Sequence, residues 1–566
     1  MAYIEPNTTV KFLSGVPFDP DYENTMYFAN AAAQETYMNS KAFMTINKNS
    51  YQRKSRGVMK VGYIVDTSNG GSMIRLLYNA NYMMFKNTNF ENKWFYAFVT
   101  NVEYVNNNTV EVSYTLDIVQ SWLFAFRFNQ CLIEREHTAT DVIGEHTLPE
   151  NLEHGPYRED IPTFSIGNQT YNSGIFQYTP AVCLVTTFDS QGAYSPGDIL
   201  GGRNDMGDTY SGLHFNYWEL TTANVALINQ TLQAITNSAK EYGVVALFMC
   251  PAEFASAAIT GGHVSPKYLD FSININLDGY VPRNKKLFVY PYNFLYVDNN
   301  QGNAAEYKWE EFSSASNARL SIWGNISTNP GLVCSPFSYK GVAGDNEEEK
   351  ISLTGFPMCA WSNDAFKAWV AQNAATLAGS VFSAAASWAT MLANPIAGGI
   401  SEIGRIPQLA SYQPIQSFGR GFASNWDASP IQTAGTIGGT MAILGQVFDH
   451  KRQPPHSHGD SNGNLQFQNG YLTFSFRRKF IKAEYAKIID NFFDMYGYAT
   501  HRVGTPNLNA RPCYSYVKTV GASIDGELPA TDCEALQRIF NKGIRFWKTS
   551  ATFGSFDPNV NDNRPT

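Results

Sequence analysis

One long uncharged stretch constrains what this chain can fold into more than any other feature. Residues 367–402 read KAWVAQNAATLAGSVFSAAASWATMLANPIAGGISE, and no charged side chain lies between Lys367 and Glu402. A second apolar stretch, TAGTIGGTMAILGQVF, covers residues 433–448. Alanine, glycine, serine and threonine dominate the first stretch, so a helix formed there would bury little apolar area. An ordinary core helix is therefore a poor explanation.

A permanent membrane anchor explains the stretch no better. The segment from Val370 to Ile400 is longer than the about 20 apolar residues that span a bilayer, but it contains Asn373 and the Asn394–Pro395 pair. Two interpretations stay open from the residues alone. The stretch is either a structural loop that is buried or fills a lumen, or a segment that enters a membrane only when released. Small residues that permit close helix packing and nearby tryptophans suit the latter.

The composition favours β structure in a chain of several domains. Aromatic residues make up 14% of the 566 residues and charged residues only 16%. Aromatic and β-branched side chains pack well on a pleated surface, and the length predicts two to four domains. The net charge of −8 argues against stable nucleic-acid binding. The 7 scattered cysteines predict free thiols that pack as small hydrophobes, and the N-terminus lacks a secretion signal, so we expect folding in a cytosol.

The region 92–118 predicts a tightly packed β core near the N-terminus. Alternate residues from Val110 to Leu116 are apolar, which is the period of a half-buried strand. The asparagines at 106–108 predict a hairpin turn. The preceding run, NKWFYAFVTNV, has bulky residues at successive positions, so both of its faces should be covered.

The C-terminal region predicts an α+β unit that needs a partner sheet. NGYLTFSFRRKF reads as a strand, and FIKAEYAKIIDNFFDMYG reads as a helix that stops at Gly497. A second helix is predicted to begin with a capping box of Thr531 and Glu534 and to stop at Gly543. The residues expected on the apolar face of the first helix are Ile481, Tyr485, Ile488, Ile489, Phe492, Phe493 and Tyr496.

No catalytic, cofactor or metal site is predicted. The sequence has no Walker loop, no G-x-S-x-G elbow and no H-E-x-x-H motif. His456 and His458 read as part of a polar loop rather than as metal ligands, and carboxylate pairs of the glycosidase kind are expected by chance among 49 acidic residues. The tripeptide REH at 135–137 predicts a structural ion-pair corner, so we do not expect an enzyme.

Short words at both ends of the chain recur, in order, in one family of virus proteins. They are NKWFYAFVT (92–100), LDIVQSWLF (116–124), REH (135–137), KAEY (482–485), FF…YGY (492–498), PNL (506–508) and IFNKGIRFW (539–547). In these words the chain resembles the tail knob (distal tail tube) proteins of small, short-tailed, protein-primed podoviruses of the Picovirinae type. The resemblance is weak over residues 138–350.

The resemblance implies a mainly β fold with some α, in which both chain ends form a barrel-like tube domain. It further implies that six copies surround a channel for DNA, that a long apolar loop blocks the channel, and that the released loop forms a membrane pore. The expected division is 1–137 and 465–566 for the halves of the tube domain, 138–350 for inserted outer lobes, 351–366 for a return segment and 367–464 for the apolar loop.

The resemblance places the site of function in that loop by position and character. The residues expected to plug the lumen and then enter lipid are Trp369, Val370, Leu377, Val381, Phe382, Trp388, Met391, Leu392, Ile396, Ile400, Trp426, Ile437, Met441, Ile443 and Leu444.

The expected partners follow from the same resemblance. They are further copies of the chain in a homohexamer, the proximal tail (lower collar) protein, a cell-wall hydrolase at the tail tip, lipids of the host membrane, and genomic DNA that passes without specific binding. We expect no cofactor. The protein would belong to the distal tail of the virion of a phage of a Gram-positive host, assemble in the host cytoplasm and touch the cell membrane transiently. The alternative is a receptor-binding or cell-wall-degrading tail protein that acts through residues 138–350.

Overall fold

The described chain is mainly β, as predicted. The computed structural model describes residues 8–47, 51–55, 57–62, 73–87, 92–106, 109–166, 168–178, 180–187, 198–200, 214–219, 224, 227, 231, 234–235, 243–252, 266–325, 331–356, 358–361, 457–460 and 472–565. All statements of structure below concern these residues.

The strands of the N-terminal third are short, apart from one long hairpin. They are β1 (Thr8–Leu13), β2 (Asn24–Met26), β3 (Ala42–Asn47), β4 (Tyr51–Ser55), β5 (Val58–Gly62), β6 (Tyr82–Asn87), β7 (Trp94–Asn106), β8 (Thr109–Leu116), β9 (Phe126–Phe128) and β10 (Cys131–Glu136). The hairpin β7–β8 confirms the strands predicted in 92–118.

The middle of the described chain continues as strands. They are β11 (Tyr157–Asp160), β12 (Phe164–Ile166), β13 (Gln169–Tyr171), β14 (Pro180–Thr186), β15 (Asp198–Leu200), β16 (His214–Glu219), β17 (Val244–Pro251), β18 (Lys267–Ser272), β19 (Asn293–Asp298), β20 (Ala304–Lys308), β21 (Asn317–Asn325), β22 (Gly331–Phe337), β23 (Ile351–Leu353), β24 (Met358–Trp361) and β25 (Ser457–Asp460).

The C-terminal region mixes strands and helices. Its strands are β26 (Ser475–Ile481), β27 (Tyr498–Gly504), β28 (Tyr514–Val520), β29 (Ile524–Gly526) and β30 (Ile544–Trp547). The helices bounded in the described residues are α1 (Ala31–Lys41), α2 (Ile118–Trp122), α3 (Ala483–Tyr496) and α4 (Ala530–Lys542).

The chain divides into two compact units. Unit 1 comprises residues 1–155, 276–287 and 482–566, and unit 2 comprises 156–275 and 288–481. The segment 276–287, which lies inside the stretch expected to form outer lobes, thus belongs to the unit of the chain ends. The predicted domain boundaries themselves stay a prediction.

A seven-stranded sheet of unit 1 curls around its own core. Its order is β3-β1-β6-β7-β8-β5-β4. Ile46 of β3 and Val61 of β5 lie far apart in this order, yet both belong to one buried cluster with Ala97 of β7. One face of the sheet thus carries a continuous buried core, and the sheet forms a half-barrel.

The other face of the seven-stranded sheet packs against the C-terminal elements. Tyr96 and Phe98 of β7 share a buried cluster with Leu536 of α4 and Trp547 of β30. Both faces of β7 are therefore covered, as predicted. A five-stranded sheet of order β2-β30-β28-β10-β27 interleaves strands from the two chain ends, which confirms that the ends fold together.

Unit 2 consists of three sheets around a separate core. Their orders are β11-β26-β19-β20, β13-β12-β18-β21-β22-β23 and β15-β16-β14-β17-β24-β25. The core is rich in aromatic residues, including Trp309, Phe271 and Phe476. The predicted strand 469–480 is confirmed only in its second half, where β26 (Ser475–Ile481) of this unit lies, while residues 472–474 precede the strand.

Helix α3 confirms the predicted stop at Gly497, but one residue of its predicted apolar face is wrong. Ile489 and Phe493 are buried, whereas Ile488 is 67% exposed. Asp490 is fully buried instead, because polar groups of segment 276–287 meet this side of the helix.

The predicted capping box of α4 is also wrong. The helix begins at Ala530 with Pro529 in the capping position, and no side chain of that residue caps it. Thr531 therefore lies inside the first turn and makes no cap. The predicted stop at Gly543, which has a φ of 102°, is confirmed.

The free thiols are confirmed for the cysteines whose side chains are described. Cys131, Cys183, Cys250 and Cys334 are free and buried.

Candidate functional site

The residues predicted to plug the lumen and enter lipid, from Trp369 to Leu444, lie outside the described residues. Within the described ranges, no helix has both the length and the apolar character needed to cross a bilayer. The structure does describe the two strands from which the apolar segment departs and to which it returns.

These two strands, β24 and β25, are paired with each other. Met358 lies opposite Asp460, and Trp361 lies opposite Ser457, in an antiparallel ladder. On its other side β24 pairs with β17, for example through Ala360 and Ala246. Residues 362–456 thus begin and end on neighbouring strands of one sheet of unit 2.

A dense cluster of buried and half-buried polar side chains lies in unit 1, where β10, segment 276–287 and α3 meet. Strand β10 comes from the N-terminal part and α3 from the C-terminal part, so this cluster joins the chain ends. We call it the polar clasp, and its members are Arg135, Glu150, Arg283, Asn284, Lys286, Asp490 and Asp494.

Glu150 accepts hydrogen bonds from three sides. Its Oε1 accepts from Lys286 Nζ at 2.5 Å and from the backbone N–H of Ala499 at 2.8 Å. Its Oε2 pairs with Arg135, whose Nη1 donates to the carbonyl of Gly497 at 2.7 Å. The side chains of Glu150 and Lys286 are each 1% exposed. Such a burial of charge is tolerated only when the charges are paired and hydrogen-bonded, as here.

Asp490 binds the segment 276–287 to α3. Its Oδ2 accepts from the Tyr280 hydroxyl at 2.5 Å and the Arg283 backbone N–H at 2.9 Å. Its Oδ1 accepts from the backbone and side-chain N–H groups of Asn284 at 3.0 and 2.7 Å. The Arg283 guanidinium also lies 2.5 Å from Asp494. Burial raises the pKa of Asp494 above its ordinary value, against the effect of Arg283.

The predicted ion-pair corner at residues 135–137 is confirmed. Arg135 pairs with Glu150, and Glu136 accepts from Arg502 Nε at 2.6 Å. His137 Nδ1 accepts from the backbone N–H of Tyr516 at 2.8 Å, so its Nε2 donates to the carbonyl of Asp494 at 2.9 Å. Burial, with Arg511 and Arg545 nearby, holds the pKa of His137 well below its ordinary value. The imidazole is therefore a neutral structural link.

Gly497 permits the close approach on which the clasp depends. It ends α3 with a φ of 65°, a region that side-chain-bearing residues disfavour. A Cβ at this position would lie 2.2 Å from the backbone oxygen of Glu136. Glycine therefore lets β27 turn directly onto β10.

The chemistry of the clasp suits holding rather than catalysis. Its carboxylates accept hydrogen bonds from ammonium, guanidinium, amide and, at Asp490, phenol groups, and each of these contacts joins two parts of the fold. Among the described residues, no group of three or more His, Cys, Asp and Glu side chains could hold a metal ion.

Sequence reasoning found only part of the clasp. It singled out Arg135 but missed Glu150, Lys286 and Asp490. A charged residue inside a predicted apolar helix, as Asp490 is in DNFFDMY, was the one signal available. Glu150 and Lys286 stand in irregular segments where no periodicity marks them.

Comparisons with known proteins agree with this architecture. Residues 256–564 match the family described as the C-terminal domain of tail knob protein gp9 of Bacillus phage phi29, and residues 6–127 match the caudoviral major tail protein N-terminus. Tail knob protein gp9 of Bacillus phage PZA is 25% identical over 97% of this chain and 98% of its own length. The gp9 protein of Bacillus phage B103 is 27% identical over the same shares.

A solved structure shares the fold. The tail knob protein gp12 of bacteriophage C1 superimposes with a TM-score of 0.58 over 98% of this chain and 99% of that chain, at 12% sequence identity. This likeness shows the fold alone.

A mainly β fold built from both chain ends, with a matched tail-protein N-terminus, defines a structural protein of a phage tail and hence a virion component. More particularly, the chain belongs to the family of the phi29 tail knob protein gp9, whose C-terminal domain matches more than half of it.

Proposed function

We propose that this protein forms, as a homohexamer, the distal knob and tube of a short tail through which the genome leaves the virion. Residues 367–448 plug the lumen before infection. After release they line a passage through the host cell membrane. The protein acts without catalysis, assembles in the host cytoplasm and joins a proximal tail protein and a tail-tip hydrolase in the virion.

The pairing of β24 with β25 is the observation that carries this proposal. Because residues 362–456 begin and end on paired strands, the segment can change its surroundings while its two ends stay held. Its small, uncharged residues suit both a packed plug and close helix association in lipid. We call this segment, which first blocks the lumen and later leaves it, the gate. It needs two alternative conformations on an otherwise stable unit.

Opening of the gate follows from a shift between two populations. The plugged placement must be favoured until contact with the cell stabilises the released one, since a trigger acts only through a difference in affinity for the two states. The net charge of −8 suits a conduit, because it disfavours lasting contact with DNA phosphates.

Dye leakage from liposomes tests the membrane step. The matched variant replaces residues 362–456 by a two-residue Asn-Gly turn, which suits an antiparallel strand pair and keeps β24 and β25 together. We expect the full chain to release dye and the variant to release none. Equal leakage from both proteins would remove the proposed role of the segment.

Electron microscopy tests the ring and the plug separately. Rings with six subunits are expected from purified protein, and lumen density is expected in full particles but not in emptied ones. A monomer with no ring would refute the hexamer. Zymography on host cell walls tests the absence of catalysis, since a cleared zone from purified protein would contradict it.

A further inference from the structure

The solvent-facing side of one sheet in unit 2 combines aromatic rings with polar groups. Strands β18, β21 and β22 are neighbours in the sheet β13-β12-β18-β21-β22-β23. The register places Asp270 opposite Arg319, and Arg319 opposite Phe337. Directly opposite residues project from the same side of a sheet. Their neighbours Leu269 and Leu320 project into the core, so the first set faces outwards, together with Tyr268.

The outward side chains form one contiguous group. The rings of Tyr268 and Phe337 lie 5.3 Å apart, edge to face. Tyr268 is 37% exposed, and the guanidinium of Arg319 lies 5.6 Å from the centre of its ring. Arg319 Nε and Nη2 donate to the two oxygens of Asp270 at 2.6 and 3.0 Å, and both side chains are about half exposed. Rings and polar groups thus stand side by side on rigid strands.

A second carboxylate borders this group. Asp345 accepts hydrogen bonds from the hydroxyls of Ser321 and Ser335, and its backbone bridges to Phe337. The face thus presents two carboxylates and one guanidinium. Its local charge is negative, which opposes DNA, phosphate polymers and anionic lipid headgroups. The charges of these three groups therefore favour an uncharged partner over an anionic one.

We propose that this face, formed by Tyr268, Asp270, Arg319, Phe337 and Asp345, binds an uncharged glycan. A sugar ring has an apolar C–H side, which can cover the exposed Tyr268 ring, and hydroxyl groups that both donate and accept. The carboxylates supply acceptors and the guanidinium supplies donors at the rim.

This assignment goes beyond the proposed conduit and gives unit 2 a part in recognising the cell surface. It requires no step of the gate, so a conduit without glycan binding and glycan binding without a pore are distinguishable outcomes.

Binding of the full-length protein to an array of neutral and anionic oligosaccharides tests the assignment. We expect binding to neutral glycans, weakened about ten-fold in Tyr268→Ala because the covering ring is lost. Tyr268→Phe keeps the ring and should stay within about two-fold of the parent. Tyr78→Ala is the matched control, since Tyr78 is 50% exposed in unit 1, and it should leave binding unchanged.

A second variant guards against a folding artefact. Arg319→Gln removes the guanidinium while both aromatic residues are kept, and it should weaken binding several-fold with an unchanged melting temperature. Three results would overturn the assignment. The parent binds no neutral glycan, both Tyr268→Ala and Arg319→Gln bind as strongly as the parent, or the parent binds poly(glycerol phosphate) more strongly than neutral glycans.

Discussion

Two ionic clusters, one in each unit, use the same chemistry at different depths. In the polar clasp of unit 1, the side chains of Glu150 and Lys286 are each 1% exposed. In unit 2, Arg478 of β26 binds Asp160 of β11 at 2.7 and 2.9 Å, with side chains 15% and 28% exposed. Both pairs have good geometry, so geometry alone does not rank them.

Burial makes the difference. When one partner of a buried pair is removed, the other charge is left without water, whereas an exposed charge is rehydrated. Removal of one charge from the clasp should therefore strongly destabilise the contact between the chain ends. Removal of one charge from the pair on β26 should cost little stability.

The largest effect is expected from Glu150→Gln. The change leaves Arg135 and Lys286 buried without a counter-charge, so unit 1 should lose about 3–5 kcal/mol of unfolding free energy. Hydrogen exchange of the β10 and β27 amides measures this unit specifically. The control is Glu159→Gln in unit 2, whose carboxylate is 40% exposed. Equal losses in the two variants would break the comparison.

A smaller loss is expected from Asp490→Asn. An amide has one acceptor oxygen, so it cannot serve both the Tyr280–Arg283 donors and the Asn284 donors. We expect a cost of about 2–3 kcal/mol, because buried donors lose their acceptor. Thermal unfolding gives the value. The control is Tyr280→Phe, which removes the hydroxyl that donates to Asp490 and accepts from Arg283 Nη1 but leaves the Asn284 donors on Asp490. An Asn variant no less stable than Tyr280→Phe would contradict the proposed role of Asp490.

The unfolding free energy of unit 1 should depend on pH through Asp117, a buried carboxylate that is not paired with a cation. Asp117 caps α2 by accepting from the Gln120 N–H at 2.9 Å, and it accepts from the Tyr82 hydroxyl at 2.7 Å. Burial raises the pKa of Asp117 to about 6. Among the described residues, no ammonium or guanidinium group lies within ion-pair distance of it, in contrast to Glu150.

The sign follows from the raised pKa. The folded state holds the proton more tightly than the unfolded state, so the stabilisation is complete at low pH and is lost as the pH rises through about 6. Relative to Asp117→Asn, the parent should lose about 2 kcal/mol between pH 4 and pH 7.5. Denaturation of both proteins across this range measures it. A parent that gains stability over the variant as the pH rises would refute the assignment.

Local sequence patterns predicted strands and helix ends, but they did not predict contacts between residues that lie far apart in the chain. The alternation around Val110 and the glycine stops at 497 and 543 are local signals, and the structure agrees with them. The partners Glu150 and Lys286 are separated by 136 positions, and no local pattern pairs them. The apolar face of α3 was misplaced for the same reason, since segment 276–287 covers the side of the helix that carries Asp490 rather than the side that carries Ile488.

The smallest effect is expected from Arg478→Met, which removes the more exposed of the two ion pairs compared above. Arg478 binds Asp160 and donates to the Ser272 carbonyl at 3.1 Å, but Asp160 keeps the Asn274 side chain as a donor at 2.8 Å after the change. Water can also reach the carboxylate. The loss should therefore stay below about 1 kcal/mol. Lys286→Met makes the same replacement of a cation by a thioether inside the clasp and should cost about 3 kcal/mol. Parallel urea denaturation of the two variants gives the ratio, and a ratio near one would mean that hydrogen-bond geometry, rather than burial, sets the strength of ionic contacts in this protein.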